Sequence, residues 1–297
     1  MTVRNVPILA FNRGMISPKA LARVDLDRLP FSGEIQRNWL PRTLGSMTLR
    51  PGLQYIGGTN SGNAAYFLPF SFATDDNALI ELTAGAIRVW VDDALIVRPA
   101  VSAFIANSGF TNNVALWTDA DETAAVSSWK TGGYLSLVGT GTDYAIRRQQ
   151  VTVTEAGVEH ALRIVVERGP VALKVGISSG DGTYFDTVLA TGVHSLSFVP
   201  SADFWIDLKS NLLRETLVDS VSVEAAGTAS LPSPYASSLS CVRYAQSADV
   251  LFLACNSHKQ RRLERRSARS WSLVDYEALD GPFDIINTTS ITITPSG

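Results

Sequence analysis

Within the 297-residue chain, Gly176-Ile177-Ser178-Ser179-Gly180 fits the G-x-S-x-G pattern that sets a serine nucleophile on a sharp strand-to-helix turn. That chemistry needs a helix after the turn. The next residues are instead Asp181-Gly182-Thr183-Tyr184-Phe185, whose Asp and Gly supply turn conformations and whose aromatics open another strand. A hairpin is the better reading, and a hydrolase would rest on Ser178 alone. His160, His194 and His258 are isolated, and no His-Glu-x-x-His or Cys-x-x-Cys spacing supports a zinc site. No Gly-Lys-Ser/Thr loop offers a cradle for nucleotide phosphate. The chain reads as non-enzymatic and without a cofactor.

The remaining candidates are for binding. Asp119, Asp121 and Glu122 lie together, and hard oxygen ligands this close could join a structural calcium site. A solvated acidic loop is the preferred reading. Sugar rings stack on exposed aromatics beside polar groups. Trp129 and Tyr184 sit in loop-like context and, with Trp117, are the glycan-binding candidates; Trp205, between Phe204 and Ile206, reads as core. Lys259, Arg261, Arg262, Arg265, Arg266 and Arg269 form the strongest charge feature. Such a run contacts phosphates, or is a solvated β-turn, or pairs with acids of a neighbouring subunit.

Length allows two domains of ordinary size. The composition, 45% apolar and 18% charged, suits a folded protein, and a net charge of -3 gives no general attraction to nucleic acid. No apolar run is long enough to span a bilayer, so membrane insertion is not expected. The first residues lack the long apolar core of an export signal, so synthesis in the cytosol is expected. Two cysteines make no disulfide framework, and Cys241 and Cys255 read as buried reduced thiols.

The elements that must position these residues are mainly strands, and the fold class is all-β. Ser17-Pro18 signals a short helix ending before Pro30. Ser32 can cap a second helix with Ile35, Trp39 and Leu40 on one face, and Arg50-Pro51-Gly52 leads into a strand from Leu53 to Ile56. Residues 66–97 and 231–283 share one grammar of buried strand, turn and strand, the second stopping at Asp280-Gly281-Pro282. Between them, residues 104–226 alternate through many short strands with Gly-rich turns, as a β-sandwich does. The expected organisation is an arm with short helices (1–58), a discontinuous β platform (59–103 and 227–297) of propeller-blade-like meanders, and an inserted jelly roll (104–226). Its strand order and the opening at Asn107-Ser108-Gly109-Phe110 and Leu116-Trp117 resemble carbohydrate-binding modules.

Several short motifs occur in a fixed order. They are Phe11-x-x-Gly14-x-Ile16-Ser17-Pro18, Ala22-Arg23-Val24-Asp25-Leu26, Asn38-Trp39-Leu40-Pro41 and Arg50-Pro51-Gly52. Further along come Pro234-Tyr235, the run from Arg243 to Val250, Leu263-x-Arg265, Trp271 and Asp280-Gly281-Pro282-Phe283. Over about half of the chain this order resembles the tail nozzle, or tail tubular, proteins of short-tailed double-stranded DNA phages. Members of that family are usually much longer, and this chain stops in mid-β pattern, as a short member or a fragment.

The resemblance implies a structural ring subunit of the virion tail, assembled in the host cytoplasm as a homo-oligomer suspected to be sixfold. It would bind adaptor or portal-side tail proteins and tail fibres, and meet double-stranded DNA only in transit. Phe11, Ile16, Trp39 and Leu40 would anchor the arm on the platform or a neighbour. A conduit must let DNA slide, which favours the interface reading for Arg261, Arg262, Arg265 and Arg266. The jelly roll would project outward. The alternative is a glycan-binding protein acting in host-surface recognition, with the jelly roll as its working part.

Overall fold

The computed structural model describes residues 10–20, 22–23, 25–235 and 239–278. The chain divides after Gly57 into two compact units. In the first, the expected helices are replaced by single 3-10 turns at Pro18–Ala20 and Leu29–Phe31, followed by a hairpin of β1 (Trp39–Pro41) and β2 (Met47–Leu49). Trp39 and Leu40 therefore do not share a helix face. Asn38 at φ 61° turns the chain out of helix just before β1, and Gly45 at φ 95° closes the hairpin tip. Leu53 to Ile56 belong to no strand. Backbone bonds hold the unit together, among them Ile16 N–H to Gly33 O at 3.0 Å and Gly33 N–H to Gly14 O at 3.0 Å.

The second unit is all strand and turn. It begins with the meander β3 (Ala65–Ala73), β4 (Asp76–Thr83), β5 (Ala86–Val91), β6 (Ala94–Leu95) and β7 (Val97–Arg98). The sandwich strands come next: β8 (Thr118–Asp119), β9 (Val126–Lys130), β10 (Tyr134–Val138), β11 (Ala145–Val151), β12 (His160–Arg168), β13 (Val171–Gly176), β14 (Phe185–Leu189), β15 (Gly192–Phe198), β16 (Phe204–Ser210) and β17 (Thr216–Val223). The chain returns through β18 (Gly227–Thr228) and β19 (Ser230–Pro232). It ends in a second meander, β20 (Arg243–Ser247), β21 (Val250–Cys255), β22 (His258–Ser267) and β23 (Ser270–Asp275). Five of the six basic residues lie along β22, and Arg269 is in the turn that follows it. The terminal Asp280-Gly281-Pro282-Phe283, with Leu21 and Val24, falls outside the described residues.

In the sandwich, β15-β12-β17-β10 faces β14-β13-β16-β11, with β9 and β8 added at the edges. From β10 to β17 every connection except the β13–β14 hairpin crosses between sheets, which is jelly-roll connectivity. The period of two builds it. In Phe204-Trp205-Ile206-Asp207-Leu208-Lys209, Phe204, Ile206 and Leu208 are fully buried while Trp205 and Lys209 point away from the core.

The sheet does not stop at the jelly roll. β15 pairs with β23, so β20-β21-β22-β23 continues the jelly-roll sheet to nine strands. The other sheet of the platform is β19-β5-β4-β3. It shares one core with the second meander, with Phe70 edge-on to Trp271 at 5.1 Å. The platform is thus two sheets packed face to face on one core. Along β15, Leu196 and Phe198 enter the jelly-roll core while Val193 packs on the platform core. The nine-stranded sheet thus buries opposite faces at its two ends. Gly192 permits the joint: at φ 144° a Cβ there would lie 2.3 Å from Leu273 O.

A second tie is polar. Arg98, on the way into the jelly roll, is 3% exposed and donates to Glu224 (2.8 Å), Glu159 (2.7 Å), Ser195 Oγ (2.9 Å) and Arg269 O (2.9 Å). Glu224, just past the last jelly-roll strand, also accepts from Arg163 at 2.8 Å. A little further on β18 pairs with β7, Gly227 opposite Arg98, so the strands entering and leaving the jelly roll lie side by side. Cys241 and Cys255 are not reduced thiols: they form a disulfide that ties the Leu239–Cys241 turn to the end of β21. Spacing alone did not reveal it, because the chain between them doubles back as a hairpin.

His194 sits at the joint, opposite Ser272 on β23. Its Nε2 donates to Ala190 O and its Nδ1 accepts from Ser272 Oγ, both at 2.9 Å, with the tautomer assigned from these partners. Burial, with a smaller contribution from the Arg266 charge, lowers its pKa to about 4. Between pH 6.5 and about 4 the unfolded chain binds a proton that the folded chain refuses. Stability from neutral His194 is complete above pH 6.5 and is lost as the pH falls toward 4, by ~3 kcal/mol in all. Urea midpoints at pH 7 and pH 4.5 should show wild type losing more stability than His194→Gln over that interval. Equal losses would contradict this account.

Candidate functional site

The arm offers an uncommitted apolar surface. None of its described residues is buried. Trp39 and Leu40 are exposed, at 46% and 49%, whereas Phe11 and Ile16 are half-buried. At the tip of the β1–β2 hairpin Leu44 is 99% exposed. A unit of this size cannot form an interior from two 3-10 turns and one hairpin, so its apolar side chains remain in water.

The acidic loop is a structural device whose carboxylates are bonded within the sandwich. Asp121 Oδ1 accepts from Ile146 N–H at 2.6 Å, and Oδ2 accepts from Ser127 N–H at 2.6 Å and Ser127 Oγ–H at 2.8 Å. Asp119 pairs with Arg147 at 2.9 Å, and Glu122 accepts from Tyr144 N–H at 2.8 Å. These carboxylates bind β8 and its adjoining loop to β9 and β11, facing separate donors rather than one point. Among the described residues no group of three or more His, Cys, Asp or Glu is placed to hold a metal.

The aromatic candidates separate. Trp117 is 3% exposed and packs on Phe110 at 5.4 Å, so it is core and not a sugar platform. Trp129 is 37% exposed on β9, with its indole N–H donated to Phe110 O at 2.7 Å. Tyr184 lies against Phe198, its hydroxyl accepting from Ser201 N–H at 3.0 Å. Trp129 and Tyr184 are thus tied to different parts of the sandwich.

Trp205, expected in the core, is half-buried on the outer face of the second jelly-roll sheet, opposite Gly176 and Gln150. The charge row Asp186, Lys174, Asp207, Arg148 crosses four strands beside it. Lys174–Asp186 and Arg148–Asp207 pair at 3.3 Å. Asp207 is 3% exposed, and burial, partly offset by Arg148, raises its pKa. Alternation within residues 204–210 is the signal that places Trp205 and Asp207 outward. The G-x-S-x-G segment is the β13–β14 turn, where Asp181 fills the space a Cβ on Gly176 would need, 2.2 Å from its Oδ2.

The basic run has its acids within the chain. Lys259 and Arg261 pair with Asp275, Arg262 and Arg266 with Glu264, Arg265 with Asp76 at 2.6 Å, and Arg269 with Glu159. Each of the six therefore has an acidic partner without a neighbouring subunit, although Asp275 and Glu264 each serve two of them and Glu159 also pairs with Arg98. Glu264 lies within the run on β22, while Asp275, Asp76 and Glu159 come from β23, β4 and the loop before β12, which sequence spacing does not bring together. No protein-family model matches the chain, and no curated protein matches it.

The acidic loop yields a direct test. Calcium and chelator should leave the thermal midpoint unchanged, while Asp121→Ala costs about 1–3 kcal/mol by leaving the Ser127 and Ile146 amides unpaired. A midpoint that rises with calcium would restore the metal reading.

Proposed function

We propose that this chain is a non-enzymatic structural subunit of a phage tail, a nozzle component that assembles as a homo-oligomeric ring around the path of the DNA. The observation that carries the reading is the arm: a unit without buried residues among those described, displaying Trp39, Leu40 and Leu44 to solvent. An apolar surface of this kind fits an assembly role. The ordered motifs from Phe11 through Trp271 supply the choice of assembly.

Electrostatics support a conduit. The six basic residues of residues 259–269 are each paired with an acid of the same chain. Residues 58–297 carry 17 Lys and Arg against 25 Asp and Glu, a net charge of -8. A body with this net negative charge gives no general attraction for phosphates, which suits a wall past which DNA slides. In this reading the arm joins neighbouring or adaptor-side subunits, and the jelly roll faces outward toward fibres or the cell surface.

The test is antibody labelling of purified particles, with antibody raised against the intact protein and selected for jelly-roll epitopes. Label confined to the tail in electron micrographs is expected. Unlabelled particles, with the protein free in the lysate, would overturn the nozzle reading and favour host-surface glycan binding.

A further inference from the structure

The arm hairpin and the outer face of the first platform sheet are opposite in charge, and each leaves apolar side chains in solvent. Residues 1–57 hold eight Lys and Arg against three Asp and Glu, net +5, opposite in sign to the rest of the chain. The hairpin concentrates this. Leu44 is at its tip, and Arg37, Arg42 and Arg50 flank its strands. Among the described residues these three arginines have no ion-pair partner within the chain.

On the platform sheet, Pro69, Leu79, Trp90 and Leu95 face one another across β3, β4, β5 and β6. Phe67, on the same side of β3 two residues before Pro69, is 42% exposed, and Leu79 is 40% exposed. This face lies opposite the one that buries Leu68, Phe70 and Ile80 in the platform core. At one end of the row stand the β3–β4 turn with Asp75 and the β5–β6 turn with Asp92 and Asp93. All three acids are exposed. The two aspartates, at φ 50° and 60°, form the tight turn that follows Trp90 and Val91.

We propose that the β1–β2 hairpin of one copy docks on this outer face in a second copy. Leu44 and Trp39 would cover the row around Leu79 and Trp90, and the arginines would meet Asp75, Asp92 and Asp93. The charge complementarity is what selects a second copy as the occupant: each chain carries one cationic apolar knob and one anionic apolar face. Such a contact is heterologous, each copy giving its arm to one neighbour and its face to another, and contacts of that type close rings or extend filaments. The proposal deepens the ring reading and rests on it only for closure of the ring.

Sedimentation velocity of the full chain tests it, with Leu44→Glu impairing the knob and Leu79→Glu the face. Both side chains are exposed, so far-UV circular dichroism and melting should stay at wild-type values. Wild type should associate with rising concentration, and more weakly in high salt. Each variant alone should associate at least about tenfold more weakly. An equimolar mixture should form a heterodimer, because the intact knob of one variant meets the intact face of the other.

A wild type that stays monomeric overturns the proposal. So does association that neither substitution weakens, or a mixture that remains monomeric, as it would if the arm served its own sheet or a different protein. Antibody labelling that finds the protein off the virion would leave a positive mixing result standing. A monomeric wild type would leave the labelling result to be judged by itself.

Discussion

A guanidinium taken out of water needs acceptors for its donors, and four of the five N–H donors of Arg98 have them. Its donors meet Glu224, Glu159, Ser195 Oγ and the Arg269 carbonyl, so the desolvation cost is offset by charge-assisted hydrogen bonds. The four partners come from separate parts of the second unit: the end of β17, the loop before β12, β15 and the β22–β23 turn. Only one arrangement of jelly roll and platform brings all of them to a single side chain. Removing the guanidinium leaves the buried Glu224 with Arg163 as its remaining ion-pair partner among the described residues, a loss of at most the about 3–5 kcal/mol typical of breaking a buried pair.

This tie and the β15–β23 pairing act on the same seam. One sheet crosses from the jelly roll into the platform, and because it buries opposite faces at its two ends, neither core contains the other. A domain inserted on two flexible linkers would be free to swing. Here the strands leading in and out pair with each other, and His194 and Ser272 bond across the seam. A rigid body suits a part whose task is to keep a wall in place while an arm makes the connections, which is the division of labour proposed for this chain.

Much of the strand architecture was legible because burial with a period of two leaves a direct trace, as in residues 204–210. The same trace places Trp205 outward, against the expectation that an aromatic between Phe204 and Ile206 is core. Long-range chemistry was not legible. Asp119, Asp121 and Glu122 look like ligands in sequence, but the Arg147 guanidinium and the Ser127, Ile146 and Tyr144 amides reach them first. Arg265 finds Asp76 far away in sequence because the two platform sheets face each other. The arm departed furthest from expectation. A cap-and-proline pattern signals a helix, yet Asn38 and Gly45 at positive φ build a hairpin, and with no interior to form, amphipathic spacing carries no information about helix faces.

The central claim is that jelly roll and platform are one cooperative body joined through Arg98 and the shared sheet. Scanning calorimetry of the full chain tests it most directly. A single transition is predicted, with calorimetric and van't Hoff enthalpies equal, because neither core can open without breaking the seam. Two resolved transitions, or a calorimetric enthalpy well above the van't Hoff value, would show that the jelly roll unfolds on its own and that the seam does not couple the two cores.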